Sequence, residues 1–326
     1  MTRLDAKDLK ILSELDTNAR QSNGQIGRKV GLSRDVVKYR IDRLLEEGVI
    51  LRFHAVVNYC KLGLTKYKLY LRLTNVSKEK REEIAEYFNN HSKTEWVVIT
   101  TGRWDIIVGF LLKNVNEFDD EVRNAMTSFS EFIQERAITT SLSLVHQERG
   151  FLTGKKLVQS VVYHTLKDEQ VTIDALDEKL LRVLANNARM PVTQLAKQLK
   201  TTARIVQYRV RELEKKEIIL AYKAHLEPKS MNRIFCKAFL NFSYIREADL
   251  KKFLTYSSSL PGVLWPQRVM GNWDFEVDFE LSTYDDFQDV LIQFREKFLD
   301  LIRDQEFCIT WKELKLDLYP NATRAL

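Results

Sequence analysis

Cysteine is scarce in this chain. Cys60, Cys236 and Cys308 are odd in number, far apart and set among apolar residues. That excludes a disulfide framework or a structural zinc site, and predicts buried thiols in a reducing compartment. Long apolar runs are also missing: none approaches the roughly 20 residues that a membrane helix needs. The opening MTRLDAKDLKILSEL is charged and amphipathic, with no secretory signal in it, so the expected place is the cytoplasm and no membrane partner is expected. The five histidines, His54, His91, His146, His164 and His225, lack paired metal-ligand spacing; they are predicted at the surface or at interfaces, with no metal bound. Gly150 to Lys156 is one residue short of a phosphate loop and has Lys where Ser or Thr must hold magnesium, so it reads as linker. No nucleophile-base set recurs beside Asp105 and Asp274. No catalytic residue and no cofactor are expected, and the chain is not read as an enzyme.

What is present is a repeat. A shift of 169 residues, without gaps, lays Asp5 on Asp174, Asp8 on Asp177 and Asn18-Ala19-Arg20 on Asn187-Ala188-Arg189. The same shift lays Tyr39-Arg40 on Tyr208-Arg209, Trp96 on Trp265, and Gly102, Trp104 and Asp105 on Gly271, Trp273 and Asp274. One register held over so many positions marks a two-domain unit written twice, a covalent pseudo-dimer. With 44% hydrophobic residues, each of four small domains can bury a core.

The net charge of +6 is localised. Residues 1–52 hold 11 Lys and Arg against 8 Asp and Glu; residues 173–221 hold 10 against 6; the remainder is close to neutral. A basic surplus confined to two segments is the distribution expected where those segments meet a polyanion. Both segments are helical by period. Leu9, Ile11, Leu12 and Leu15 mark a first helix and Ile26 and Val30 a second that stops at Gly31. Ser33 then caps a third, with Val37, Ile41 and Leu44 inward and a strand after Gly48. The second copy repeats this with Thr202 as cap and Val206, Val210 and Leu213 inward. Two winged helix-turn-helix domains are predicted, over 1–52 and 173–221. At 100° per residue, the third helix turns Asp35, Tyr39 and Asp42 outward, flanked by Lys38 and Arg43; its counterpart turns out Arg204, Tyr208 and Arg211, flanked by Gln207. Such faces can enter a major groove. The expected DNA contacts are Ser33, Arg34, Lys38, Tyr39, Arg40 and Arg43, and Thr202, Arg204, Gln207, Tyr208, Arg209 and Arg211.

After each helical segment the period falls to 2. Leu69, Leu71 and Leu73 alternate with Lys68, Tyr70 and Arg72, and further strands and two helices follow in the order βαββαβ. That order is a ferredoxin-like layer of two helices on a four-stranded antiparallel sheet, predicted over 53–149 and 222–320 with a linker at 150–172. The fold class is therefore α+β, in tandem. In the second copy Glu276, Asp278 and Glu280 alternate with Phe275, Val277 and Phe279, where the first has Ile107, Gly109 and Leu111. Like charges would oppose two such acidic faces meeting. Pairing of unlike halves, through Lys68 and Arg72, is expected, or local pairing with Lys237.

The stretch Leu32 to Ile50, with Asp8, Ile11-Leu12 and Asn18-Ala19-Arg20 before it, resembles the helix-turn-helix of the Lrp/AsnC (feast/famine) transcription regulators. The sheet domain is similar to that family's RAM domain, whose turn ending in an aromatic-Asp pair matches Gly102-Arg103-Trp104-Asp105 and Gly271-Asn272-Trp273-Asp274. The resemblance implies a prokaryotic, archaeal-style regulator that binds double-stranded DNA and assembles through its RAM domains, within the chain and as a homo-oligomer. It also implies a small-molecule effector such as an amino acid, at Gly102, Trp104, Asp105, Gly271, Trp273 and Asp274. Two departures stand out. Family members carry one such unit, and the second copy has Lys200 and Glu217 where the first has Gly31 and Gly48. The rival reading is a siroheme decarboxylase-like enzyme on the same architecture, which is recognised by a His-bearing segment entering the strand where this chain has Gly102-Arg103-Trp104-Asp105 and Gly271-Asn272-Trp273-Asp274, without histidine in either.

Overall fold

The computed structural model describes residues 4–154, 162–260 and 262–320. The first half runs α1 (Ala6–Thr17), α2 (Asn23–Val30), α3 (Arg34–Glu46), β1 (Ile50–Val57), β2 (Thr65–Leu73), α4 (Lys78–Asn89), β3 (Thr94–Gly102), β4 (Ile106–Leu112), α5 (Val115–Phe129) and β5 (Ile133–His146). After the short β6 (Val162–Thr165), the second half runs α6 (Ala175–Asn186), α7 (Val192–Gln198), α8 (Ala203–Lys215), β7 (Ile219–Leu226), β8 (Ile234–Phe242), α9 (Glu247–Ser259), β9 (Gln267–Gly271), β10 (Phe275–Leu281), α10 (Tyr284–Lys297) and β11 (Ile302–Leu316). Lys155 and Lys156 of the phosphate-loop-like segment lie outside the described residues.

The chain folds into two compact units, each drawn from both halves. One holds residues 1–58, 147–162 and 172–233, the other 59–146, 163–171 and 234–326. Like elements thus join like, helix-turn-helix with helix-turn-helix and sheet with sheet.

In the helical unit, caps set where the helices begin. The Asp5 side chain accepts from Lys7 N and Asp8 N, and Asp8 returns the bond to Asp5 N. Ser22 and Gln25 form the same reciprocal box at α2. The αL backbone at Gly31 (φ 68) and Gly48 (φ 69) is kept in the second copy by Lys200 (φ 52) and Glu217 (φ 54). Those turns keep their shape, at the cost of placing two side chains where glycine is favoured. β1 and β7 then pair antiparallel, from Ile50 opposite Leu226 to Val57 opposite Ile219, and join the two copies.

In the sheet unit, β2, β4, β3, β11, β8, β10, β9 and β5 follow one another by hydrogen bonding, and β2 also pairs β5, which closes the ring. The last strand of each half makes the crossing: β5 pairs β2 of its own half and β9 of the other, while β11 pairs β8 and β3. The outward faces carry the helices. Leu69, Leu71, Val97, Ile106 and Val108 pack with Ile84, Phe88 and Phe118 on one side; Ala238, Val277 and Phe279 pack with Phe253, Phe287 and Phe294 on the other. The inward faces meet in a third core of Tyr70, Trp96, Val98, Trp104, Ile107, Phe239, Trp273 and Cys308, which fills the small ring as side chains do in eight-stranded barrels. All three cysteines are unpaired and buried, and burial pushes the Cys60 and Cys236 thiols up to about 12.

Lys68, Lys237, Glu276 and Asp278 of the inward face form one buried network. Glu276 Oε1 accepts from Tyr70 Oη (2.5 Å), Trp273 Nε1 (3.0 Å) and Thr139 Oγ1 (3.2 Å). Its Oε2 accepts from Lys68 Nζ (2.7 Å), Lys237 Nζ (3.0 Å) and Gln267 Nε2 (3.3 Å), and Lys237 also reaches Asp278 at 2.8 Å. Burial alone would raise the Glu276 carboxyl, but the Lys68 and Lys237 ammoniums outweigh it and hold the group below the usual carboxylate range. Burial draws Lys68 down to about 7. Unlike halves therefore do pair through Lys68, and Lys237 pairs locally at the same time. Arg72 is the exception to the expectation: it sits exposed near the end of β2, opposite Glu135 of β5, and takes no part in the network.

Candidate nucleic-acid interface

Each recognition helix starts from a side-chain cap. Ser33 Oγ accepts from Val36 N and Thr202 Oγ1 from Ile205 N, both at 3.3 Å. Val37, Ile41 and Leu44 of α3, and Val206, Val210 and Leu213 of α8, are buried. That fixes the opposite face toward solvent, where Arg34, Lys38 and Tyr39 are exposed on α3, and Arg204, Gln207, Tyr208 and Arg211 on α8. The other arginines proposed from sequence are occupied internally. Arg40 pairs with Asp5 (2.7 Å) and buried Asp8 (2.8 Å), and Arg43 pairs with Asp8 (2.6 Å). Arg209, the counterpart of Arg40, pairs with Asp174 (2.7 Å) and Asp177 (3.3 Å). The Arg40 guanidinium, with the Asp8 and Lys7 amides, holds the Asp5 carboxyl at about 2. These pairs tie each recognition helix to the start of the first helix of its own copy.

A reciprocal clasp joins the copies, and sequence reasoning left its residues without a role. Ala19 N donates to Tyr222 O and Ala188 N to Phe53 O. Arg20 Nη1 donates to Ala188 O (3.1 Å) and stands over the Tyr222 ring; Arg189 Nη1 donates to Ala19 O (2.6 Å) and Gln21 O (2.9 Å) and stands over the Phe53 ring. The signal was on view: Asn-Ala-Arg is kept intact in both copies although no helix pattern needs it. With β1 and β7, this clasp fixes the two recognition helices in one compact unit.

The segments proposed for an effector sit in the β3–β4 and β9–β10 hairpins. Asp105 Oδ2 accepts from Leu73 N and Asp274 Oδ2 from Phe242 N, both at 2.8 Å. Trp104 and Trp273 are buried in the ring, 6.0 Å between centroids. At Gly102 (φ +112) an added Cβ would lie 2.9 Å from Phe307 O, and at Gly271 (φ +144) 2.2 Å from Ile138 O. Both glycines thus admit the crossing strand of the other half. No group of His, Cys, Asp and Glu among the described residues could hold a metal ion.

A model of winged helix-turn-helix DNA-binding domains matches residues 4–50, and one of AsnC-type helix-turn-helix domains matches 173–214. An HTH-type transcriptional regulator of Pyrococcus furiosus is 37% identical over 115 residues, 35% of this chain and 77% of the relative. The chain belongs to the Lrp/AsnC family of transcription regulators. The HTH-type regulator Ptr1 of Methanocaldococcus jannaschii is 35% identical over 120 residues, 34% of this chain and 74% of the relative. This regulator carries the family unit twice, on an α+β fold, and binds DNA. A crystal structure of the siroheme decarboxylase NirDL shares the architecture, with a TM-score of 0.63 over 95% of this chain and 92% of that one, at 11% identity. That likeness is one of fold.

Proposed function

We propose that one chain does the work of a regulator dimer: α3 and α8 enter the major groove of one duplex, and the sheet unit serves assembly and effector sensing rather than catalysis. The observation that carries this is the clasp of Arg20 and Arg189, which sets two solvent-facing recognition helices into one compact unit of a single chain. The contacting side chains in this reading are Ser33, Arg34, Lys38 and Tyr39 with Thr202, Arg204, Gln207, Tyr208 and Arg211, while Arg40, Arg43 and Arg209 position the helices. Genome-wide mapping of bound DNA, followed by native mass spectrometry on the sites recovered, tests it. One chain per site is the expected result; a site that needs two chains would overturn the single-chain reading.

The effector reading places a small molecule, an amino acid by family resemblance, at the hairpins of Gly102 and Gly271. Calorimetric titration with amino acids checks it, and no heat from any of them would remove it. Catalysis on siroheme is disfavoured because neither turn, 102–105 nor 271–274, holds the histidine by which that enzyme is recognised. An absorbance scan after mixing with siroheme should show no product. A cytoplasmic place accords with the absence of any helix, among the described residues, long and apolar enough to cross a membrane.

A further inference from the structure

We infer that α3 and α8 read unlike half-sites that share a thymine contact, with guanine read by α8 at the two places where α3 carries Asp35 and Asp42. This rests on the DNA reading above and goes beyond it to the sequence recognised. Val36 and Ile205 occupy equivalent positions and are 40% and 41% exposed; Tyr39 and Tyr208 are equivalent and 68% and 60% exposed. Each pair is three residues apart on one helix, so both helices present the same outward apolar stripe. In a major groove such a stripe fits the C5-methyl of thymine.

The flanking positions differ in sign. Asp35 of α3 corresponds to Arg204 of α8, Lys38 to Gln207 and Asp42 to Arg211. Lys38 is bound to Asp42 at 2.5 Å, so at these three places α3 presents an ion-paired lysine and the carboxylate of Asp35; its one free guanidinium among the described residues is Arg34, at the first position of the helix, where α8 has Ala203. Asp35 also lies in the first turn of α3, where the helix dipole favours an acid. On α8 the two arginines are exposed and enter no ion pair among the described residues. Free guanidinium groups on an outward helix face suit the O6 and N7 acceptors of guanine, whereas carboxylates are repelled by those acceptors. A chain whose halves were identical could not divide the reading in this way.

Selection of random duplexes by the full chain, with the number of bound chains counted by native mass spectrometry, tests the inference. The expected site binds one chain and holds two half-sites with thymine at equivalent places and guanine at the places facing Arg204 and Arg211 in one of them only. Arg204→Ala and Arg211→Ala should each relax the guanine that the side chain faces and weaken the selected site about tenfold to a hundredfold, leaving the other half-site's preference intact. The fourfold change Arg34→Ala, Asp35→Arg, Lys38→Gln and Asp42→Arg gives α3 the outward charges of α8, and should select an inverted repeat with guanine at those places in both halves. Identical half-sites under one unaltered chain, or arginine variants that lose affinity equally on every sequence, would overturn it. No enriched duplex at all would overturn the DNA reading beneath it, a separate failure.

Discussion

Lys200 and Glu217 carry a cost that their counterparts do not. A side chain held at positive φ is strained by roughly 1–2 kcal/mol, part of which glycine would return as unfolded-state entropy. Around Gly48 an added Cβ would meet nothing within 4 Å, so backbone conformation, not crowding, decides. Lys200→Gly and Glu217→Gly should each stabilise the helical unit by about 1 kcal/mol, read by chemical denaturation. At the same scale, Arg211 and Arg209 separate two jobs. Arg211→Ala should lower the slope of log affinity against log salt by about 1 if the side chain also touches a phosphate. Arg209→Ala, which unties α8 from Asp174 and Asp177, should lower thermal stability and weaken binding to all sequences alike. The sequence placed both arginines on the recognition helix correctly. It could not tell them apart, because a helical wheel shows the direction of a side chain and not the acid waiting for it on another helix.

The β1–β7 ribbon holds a titration switch of the ordinary destabilising kind. His54 is buried there, with His225 edge-on at 6.3 Å. Burial, followed by the charges of His225, Arg52, Arg149 and Lys223, holds its imidazole well below the usual histidine value. The folded state keeps His54 neutral while the unfolded chain protonates near 6.5, so its contribution is complete above that pH and shrinks as pH falls through it. Between pH 6.5 and 5, the helical unit should lose stability at up to about 1.4 kcal/mol per pH unit. Replacing His54 with Phe should flatten that slope in pH-dependent denaturation; an unchanged slope would assign the effect elsewhere. Elements were largely legible from pattern, since caps, buried stripes and the change of period mark each one. The neighbour across β1 was not, because alternation tells a strand which face is buried and not which strand lies beside it.

At the scale of the molecule, the two halves are keyed by charge. Gly109 lies across the strand from Lys68, whose partner Glu276 belongs to the other half, and the repeat itself made the contrast with the acidic strand visible. Removing that carboxylate leaves Lys68 and Lys237 buried without their shared partner. Glu276→Ala should therefore cost about 3–5 kcal/mol, read by urea denaturation. Joint replacement of Glu276, Asp278, Lys68 and Lys237 by apolar residues of similar size should recover most of the loss, because a buried ion-pair network as a whole adds little. Failure of that recovery would mean that the network also sets the register of the ring. The doubled chain and its fold class were plain from the repeat. Which halves contact which became visible only with the crossing of β5 and β11.

That crossing has a consequence for biosynthesis. By the time β5 leaves the ribosome, the first half has β2, β3, β4 and β5 in hand, yet β3 still lacks β11 and β5 lacks β9. β1 likewise lacks β7. Three strands thus emerge with an unpaired edge, and unpaired edges invite other strands. Some 170 residues must follow before β11 arrives. Two nascent first halves on one polysome can meet in that interval through the same edges, but such a homodimer would bury Lys68 of each without the Glu276 that pairs it in the finished chain. The acidic second half, once made, is the copy that cannot pair with itself, so the charge carried by β10 also directs the late-arriving half back to its own chain.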